Sequence, residues 1–137
     1  MKYIVIILIL FLASCKSSDK EEKPIQTTEE DSVARHNRLL LEIEEEAKPV
    51  YVKAYTQIAE LRSDVNLVKQ NLLTKKEVVQ HYNETVGGTM GHLSTFEAVD
   101  KRLIKAGDEY VQFMFKKECA RIANEKAAEA KFESQKK

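Results

Sequence analysis

Tryptophan is absent from the 137 residues, and there are only two prolines, four glycines and two cysteines. Two cysteines exclude a disulfide framework and a cysteine-built zinc site. So little Gly and Pro, with 32% charged residues, excludes a loop-rich or all-β chain and points to helix. Neither sign of charge is in excess: 22 Lys and Arg stand against 22 Asp and Glu. A nucleic-acid binder needs clustered excess cation to displace phosphate counterions, so no nucleic acid is expected as a partner. The length allows one core, with or without an appendage.

What is present begins with an address. Lys2 precedes an apolar run over residues 3–13, and Ser14-Cys15 follow. A cation, an apolar stretch and then small residues is the layout of a secretory signal. As a helix the run is about 16 Å long at ~1.5 Å per residue, half of the ~30 Å bilayer core. It is too short to span. Leu12-Ala13-Ser14-Cys15 resembles the bacterial lipobox: an aliphatic residue, two small ones, then cysteine. The resemblance implies cleavage between Ser14 and Cys15, a glyceride on the Cys15 sulfur and acylation of the new amino group, palmitate being the expected kind of chain. Two or three chains at ~0.8 kcal/mol per buried CH₂ anchor firmly where one does not.

The resemblance also bears on location. Lys16 stands where inner-membrane retention in enteric bacteria uses Asp, so the outer membrane is favoured over the inner. Lys20-Glu21-Glu22 looks like the acidic surface-export signal of Bacteroidetes lipoproteins, placed slightly late; a charged tether reads the same way. The periplasmic and surface faces both stay open.

Residues 1–14 are thus expected to be signal peptide and 15–28 a lipidated, disordered tether, since KSSDKEEKPIQTT buries too little to offset ordering. The fold expected for 29–133 is all-α: a long antiparallel helical hairpin, coiled-coil-like, with helices at about 29–47, 50–86 and 94–132 and a frayed tail at 134–137. Val33, Leu40 and Ala47 recur every seven with Ile43 between. Pro49 then kinks the first arm or lets 29–47 fold back as a third helix; the kinked extension is favoured because no glycine stands nearby. Tyr51, Ile58, Val65, Leu72, Val79 and Val86 continue at seven, with Ala54, Leu61, Val68 and Tyr82 three later. Thr74-Lys-Lys-Glu77 offers an alternative helix start, against the unbroken register.

Gly87-Gly-Thr-Met-Gly91 supplies the reversal, and Ser94-Thr-Phe-Glu97 a capping box. Phe96, Val99, Leu103, Ala106, Tyr110 and Phe113, then Ala120, Ala123, Ala127 and Ala130, predict the returning stripe. Folding about residue 90 sets Ala123 to Ala130 against Tyr51, Tyr55 and Ile58, and Lys75 near Asp108 and Glu109.

Catalytic and metal chemistry find little support. Glu77, His81 and Glu84 share one helix face, but a metal needs more converging ligands, and no metal or cofactor is expected beyond the Cys15 lipid. Residues 87–92 lack the strand and Gly-Lys-Ser/Thr of a phosphate loop, leaving His92 solvated or closing the turn. His36 is expected half-buried. Glu42 and Glu44 to Glu46 form an acidic cluster, and Lys116, Lys117, Arg121 and Lys126 a basic one; such faces are solvated or steer a partner. Tyr51, Tyr55, Tyr110 and Phe113 read as core. Cys119, the thiol left after lipidation, either forms an interchain disulfide in a homodimer or stays a shielded free thiol.

The function these features predict is non-enzymatic: a lipid-anchored envelope protein that offers a helical hairpin to another envelope protein. The alternative is a structural spacer. The major outer-membrane lipoprotein of enteric bacteria joins a C-terminal lysine to peptidoglycan, and this chain resembles it in its lipid, heptads and Lys137.

Overall fold

The computed structural model describes residues 28–136, with side chains from residue 31. The expected signal peptide, the expected cleavage site at Ser14 and Cys15, the expected tether up to residue 27 and Lys137 lie outside them. Compactness divides the chain into Met1–Ala34 and Arg35–Lys137. Of the first unit, residues 28–34 are described, and they are helical. Everything that follows concerns the second.

Four helices and no strand are found among the described residues: α1 Thr28–Lys69, α2 Lys75–Thr85, the single turn α3 Gly87–Met90, and α4 Phe96–Gln135. The architecture is all-α, with the long α1 and α4 packed as an antiparallel hairpin. No described helix is long and apolar enough to cross a membrane.

α1 runs through Pro49 without a break, so residues 29–47 extend the first arm and do not fold back as a third helix. One proline removes one donor, and the packing of Ile43 and Ala47 on one side of it and Ala54 and Ile58 on the other holds the helix together.

The break comes where the heptads appeared continuous. α1 ends at Lys69, and the chain from 50 to 86 is not one helix. Asn71 takes φ 58°, Leu72 N donates to Leu67 O at 2.9 Å and Asn71 N to Val68 O at 3.0 Å. This is the Schellman stop, with asparagine in the left-handed position usually held by glycine. Thr74 then caps α2: its hydroxyl accepts from Glu77 N while Glu77 accepts from Thr74 N. The capping box wins over the heptad register because it satisfies donors locally. Leu72, a seam residue on the heptad reading, is 69% exposed, and Val78 and Tyr82 turn inward in α2.

One end of the second unit is therefore a three-helix bundle. Ile58, Leu61 and Val65 of α1, Val78 and Tyr82 of α2, and Val99 and Leu103 of α4 share one core. Beyond α2 the hairpin narrows to two helices around a smaller cluster of Ile43, Ala47 and Ile122.

Because residues 70–95 fold into this bundle and do not extend the arms, the pairing of α1 with α4 differs from the expected one by roughly three helical turns. Tyr51 meets Phe115 edge-on at 5.6 Å, Tyr110 reaches Gln57, and Glu46 pairs with Lys126 at 2.5 Å. The Ala123–Ala130 stretch does not face Tyr51, Tyr55 and Ile58, and Lys75 pairs with Glu97, not with Asp108 or Glu109.

The α4 stripe also departs from the sequence pattern after Tyr110. Val111 and Ile122 are buried, with Met114, Phe115 and Cys119 half-buried between them, whereas Phe113, Ala120, Ala127 and Ala130 are exposed. Thr95, not Ser94, caps α4 by accepting from Ala98 N. Leu40 and His36 are exposed in the second unit, and Val33 in the first.

Candidate functional site

Where the three-helix end gives way to two helices, a groove opens along the hairpin. α2 occupies the channel between α1 and α4 as far as Thr85, and α3 closes it with Thr89. Beyond that point no described helix covers the channel, which forms a half-open groove of about 490 Å³. Val50 and Ala54 of α1 and Tyr110 and Met114 of α4 form its apolar floor. Lys53 and Gln57 line one wall; Lys117, Glu118 and Arg121 line the other.

Helical spacing places these groups. On α1, residues 50, 53, 54 and 57 recur at three and four, one flank of the core-facing stripe. On α4, residues 110, 114, 117, 118 and 121 do the same. The Tyr110 hydroxyl donates to Gln57 Oε1 at 3.3 Å across the head of the groove, and burial pushes its phenol above the ordinary value.

The rim is electropositive. Arg121 donates to Glu118 at 2.7 Å and also to Glu125, so this guanidinium stands between two carboxylates, of which Glu118 lines the groove. The guanidinium in turn holds the Glu118 carboxyl below the ordinary carboxylate value. Lys53 and Lys117 form no ion pair within 4 Å among the described residues, and they leave two uncompensated cations at the edge. A second, shallower hollow of about 250 Å³ adjoins this one at Thr89 and Tyr110, lined by Met90, Arg102, Ala106, Glu109 and Phe113.

The loop that closes the groove is held firmly. Asn83 donates to Leu93 O at 2.7 Å and accepts from Leu93 N at 2.9 Å, an amide standing in for a backbone partner. Arg102 donates to Met90 O at 2.6 Å. At Gly87 a Cβ would lie 3.2 Å from Asn83 Oδ1 and 3.3 Å from the His92 ring; of the glycines, Gly91 uses positive φ, at 89°.

The residues singled out in the sequence are dispersed. His81 Nδ1 lies 2.6 Å from Asp64 Oδ2, Glu77 caps Thr74, and Glu84 accepts from Gln80, so the three do not converge. No group of three His, Cys, Asp or Glu side chains set to hold a metal occurs among the described residues. Cys119 is half-buried against Ile43, Ala47 and Ile122; burial first, then the Glu44 charge, pushes its thiol up. Glu46 of the acidic cluster binds Lys126 of the basic one, raising the lysine, which makes part of each cluster an arm-to-arm tie. Tyr55 and Phe113 are more than half exposed, while Tyr51 stacks on Tyr55 at 6.4 Å.

Sequence reading overlooked the groove itself. Its signal was the break at Asn71 and Thr74: a third helix that stops short leaves the channel beyond it uncovered. Comparison with family models, with curated proteins and with solved structures gives no match.

Proposed function

We propose that this chain is a bacterial lipoprotein, anchored through acyl chains on Cys15 in the cell envelope, whose helical hairpin serves non-enzymatic protein contact. The observation that carries the reading is Leu12-Ala13-Ser14-Cys15 directly after the short apolar run. Lys16 favours the outer membrane over the inner by the same resemblance. Support for contact comes from the groove between α1 and α4, with its apolar floor and unmatched lysines, and from exposed apolar side chains at Leu39, Leu40, Leu41 and Val52. The spacer reading stands second, because an antiparallel return of α4 along α1 shortens the distance a Lys137 linkage spans.

Mass spectrometry of the membrane-extracted protein tests the anchor. The expected N-terminus is an acylated Cys15, and Cys15→Ala shifts the chain from the detergent phase to the aqueous phase. A bare terminus, or detergent partitioning unchanged by the substitution, overturns it. Crosslinking in intact cells tests the contact: a covalent adduct with another envelope protein is expected.

A further inference from the structure

We infer that the groove between α1 and α4 is the seat of a partner's acidic amphipathic helix, lying where a third helix would continue beyond α2. The inference rests on the protein-contact reading above and names the kind of partner.

The three-helix end shows what this channel accepts. There α2 lies between α1 and α4 and turns Val78 and Tyr82 into the shared core. At Thr85 the helix stops, yet α1 and α4 continue side by side with the same spacing of inward residues, Ala54 to Ala47 on one arm and Tyr110 to Ile122 on the other. The bed of inward residues thus extends past the end of the helix that lies in it. A space of about 490 Å³ takes the side chains of one helix face, not a whole helix, which is the helix-in-groove mode of recognition.

Charge selects the sign of the occupant. Of the ionic groups on the walls, Glu118 is already bound by Arg121 at 2.7 Å. Lys53 on one wall and Lys117 on the other have no such partner among the described residues, so both edges present positive charge over an apolar floor. An incoming helix with apolar residues at i, i+3, i+4 and i+7 and carboxylates on both flanks matches that arrangement. A basic helix meets repulsion on both sides.

The test uses full-length lipidated protein in detergent and a labelled synthetic amphipathic helix of about five turns, leucine on one face and glutamate on both flanks. A counterpart with lysine for glutamate is the control. Fluorescence anisotropy is expected to show salt-sensitive binding of the acidic peptide and none of the basic one, with Lys53→Glu plus Lys117→Glu weakening binding at least about tenfold. Both positions are exposed, and circular dichroism checks that helix content is kept. Absence of binding, or binding indifferent to the double reversal, overturns the inference. So does a homodimer of the chain alone that the reversal dissociates, since a second copy would then fill the groove. An envelope protein still trapped by crosslinking after such a failure would leave the contact reading standing and remove only its location.

Discussion

Arg62 of α1 lies directly over Gly107 of α4. Its Nη2 donates to the Leu103 carbonyl at 3.1 Å and its Nη1 pairs with Asp108 at 3.1 Å. A Cβ at position 107 would stand 2.8 Å from Nη2 and 3.0 Å from Ile58 Cγ2. Glycine is normally a poor choice in a helix interior. Here it opens the backbone to a side chain from the other arm and fixes the α1–α4 register at that level.

Gly107→Ala is therefore expected to destabilise, although alanine is the better helix former. Overpacking against Ile58 and displacement of Arg62 cost ~1–3 kcal/mol, against a propensity gain of ~1 kcal/mol. The net expected loss is ~1 kcal/mol by urea unfolding. In an Arg62→Ala background the same change is expected to cost less, because one of the two close contacts has gone. An alanine variant more stable by the full propensity gain contradicts the close approach.

Tyr82 is fully buried, and its hydroxyl has no hydrogen-bond partner among the described residues. Leaving such a group unsatisfied costs ~1–3 kcal/mol, so Tyr82→Phe is expected to be neutral or to stabilise by up to ~1 kcal/mol. Burial raises the Tyr82 phenol above its ordinary value of 10.0. The native state thus favours the protonated form, and this contribution is present below pH 10 and lost as pH rises through the raised value. Unfolding midpoints followed into the alkaline range are expected to fall less steeply for the Phe variant.

The start of α2 depends on Thr74, whose hydroxyl accepts from Glu77 N while Glu77 accepts from Thr74 N at 2.9 Å. Thr74→Ala is expected to lose ~1 kcal/mol. The hydrogen bonds from Thr74 hold the Glu77 carboxyl below its ordinary 4.5. A lowered value means stabilisation that is present above 4.5 and lost as pH falls through the lowered value. Glu97 beside Lys75 and Glu118 beside Arg121 are displaced the same way. Unfolding midpoints are expected to drop on acidification, with Glu77→Gln flattening part of that slope; parallel profiles for variant and wild type would argue against the cap.

The long helices and most of the α1 seam were legible because they are local. Ala54, Ile58, Leu61 and Val65 repeat at three and four, and all are buried. The break after Lys69 was legible too, in Asn71 and the Thr74–Glu77 pair, but Leu72, Val79 and Val86 continued the heptads by coincidence and masked it. On α4 the alanines at 120, 127 and 130 drew the stripe onto a face that stays in solvent. Half-buried Met114, Phe115 and Cys119 beside buried Ile122 mark the face that packs, and nothing within α4 alone ranks the two.

The sequence by itself determined helix and carried the local signals that stop and cap it, because periodicity, an αL asparagine and a Thr–Glu capping pair act within a few residues of one another; the resemblance of Leu12-Ala13-Ser14-Cys15 to a lipobox is equally local. Tertiary structure alone decided which stretch of α4 lies beside which stretch of α1. That depends on how much chain the three-helix end consumes and on close fits such as Arg62 over Gly107. The groove is a product of the same decision: it exists because α2 is shorter than the two helices it packs between, a comparison of lengths that only the assembled bundle makes.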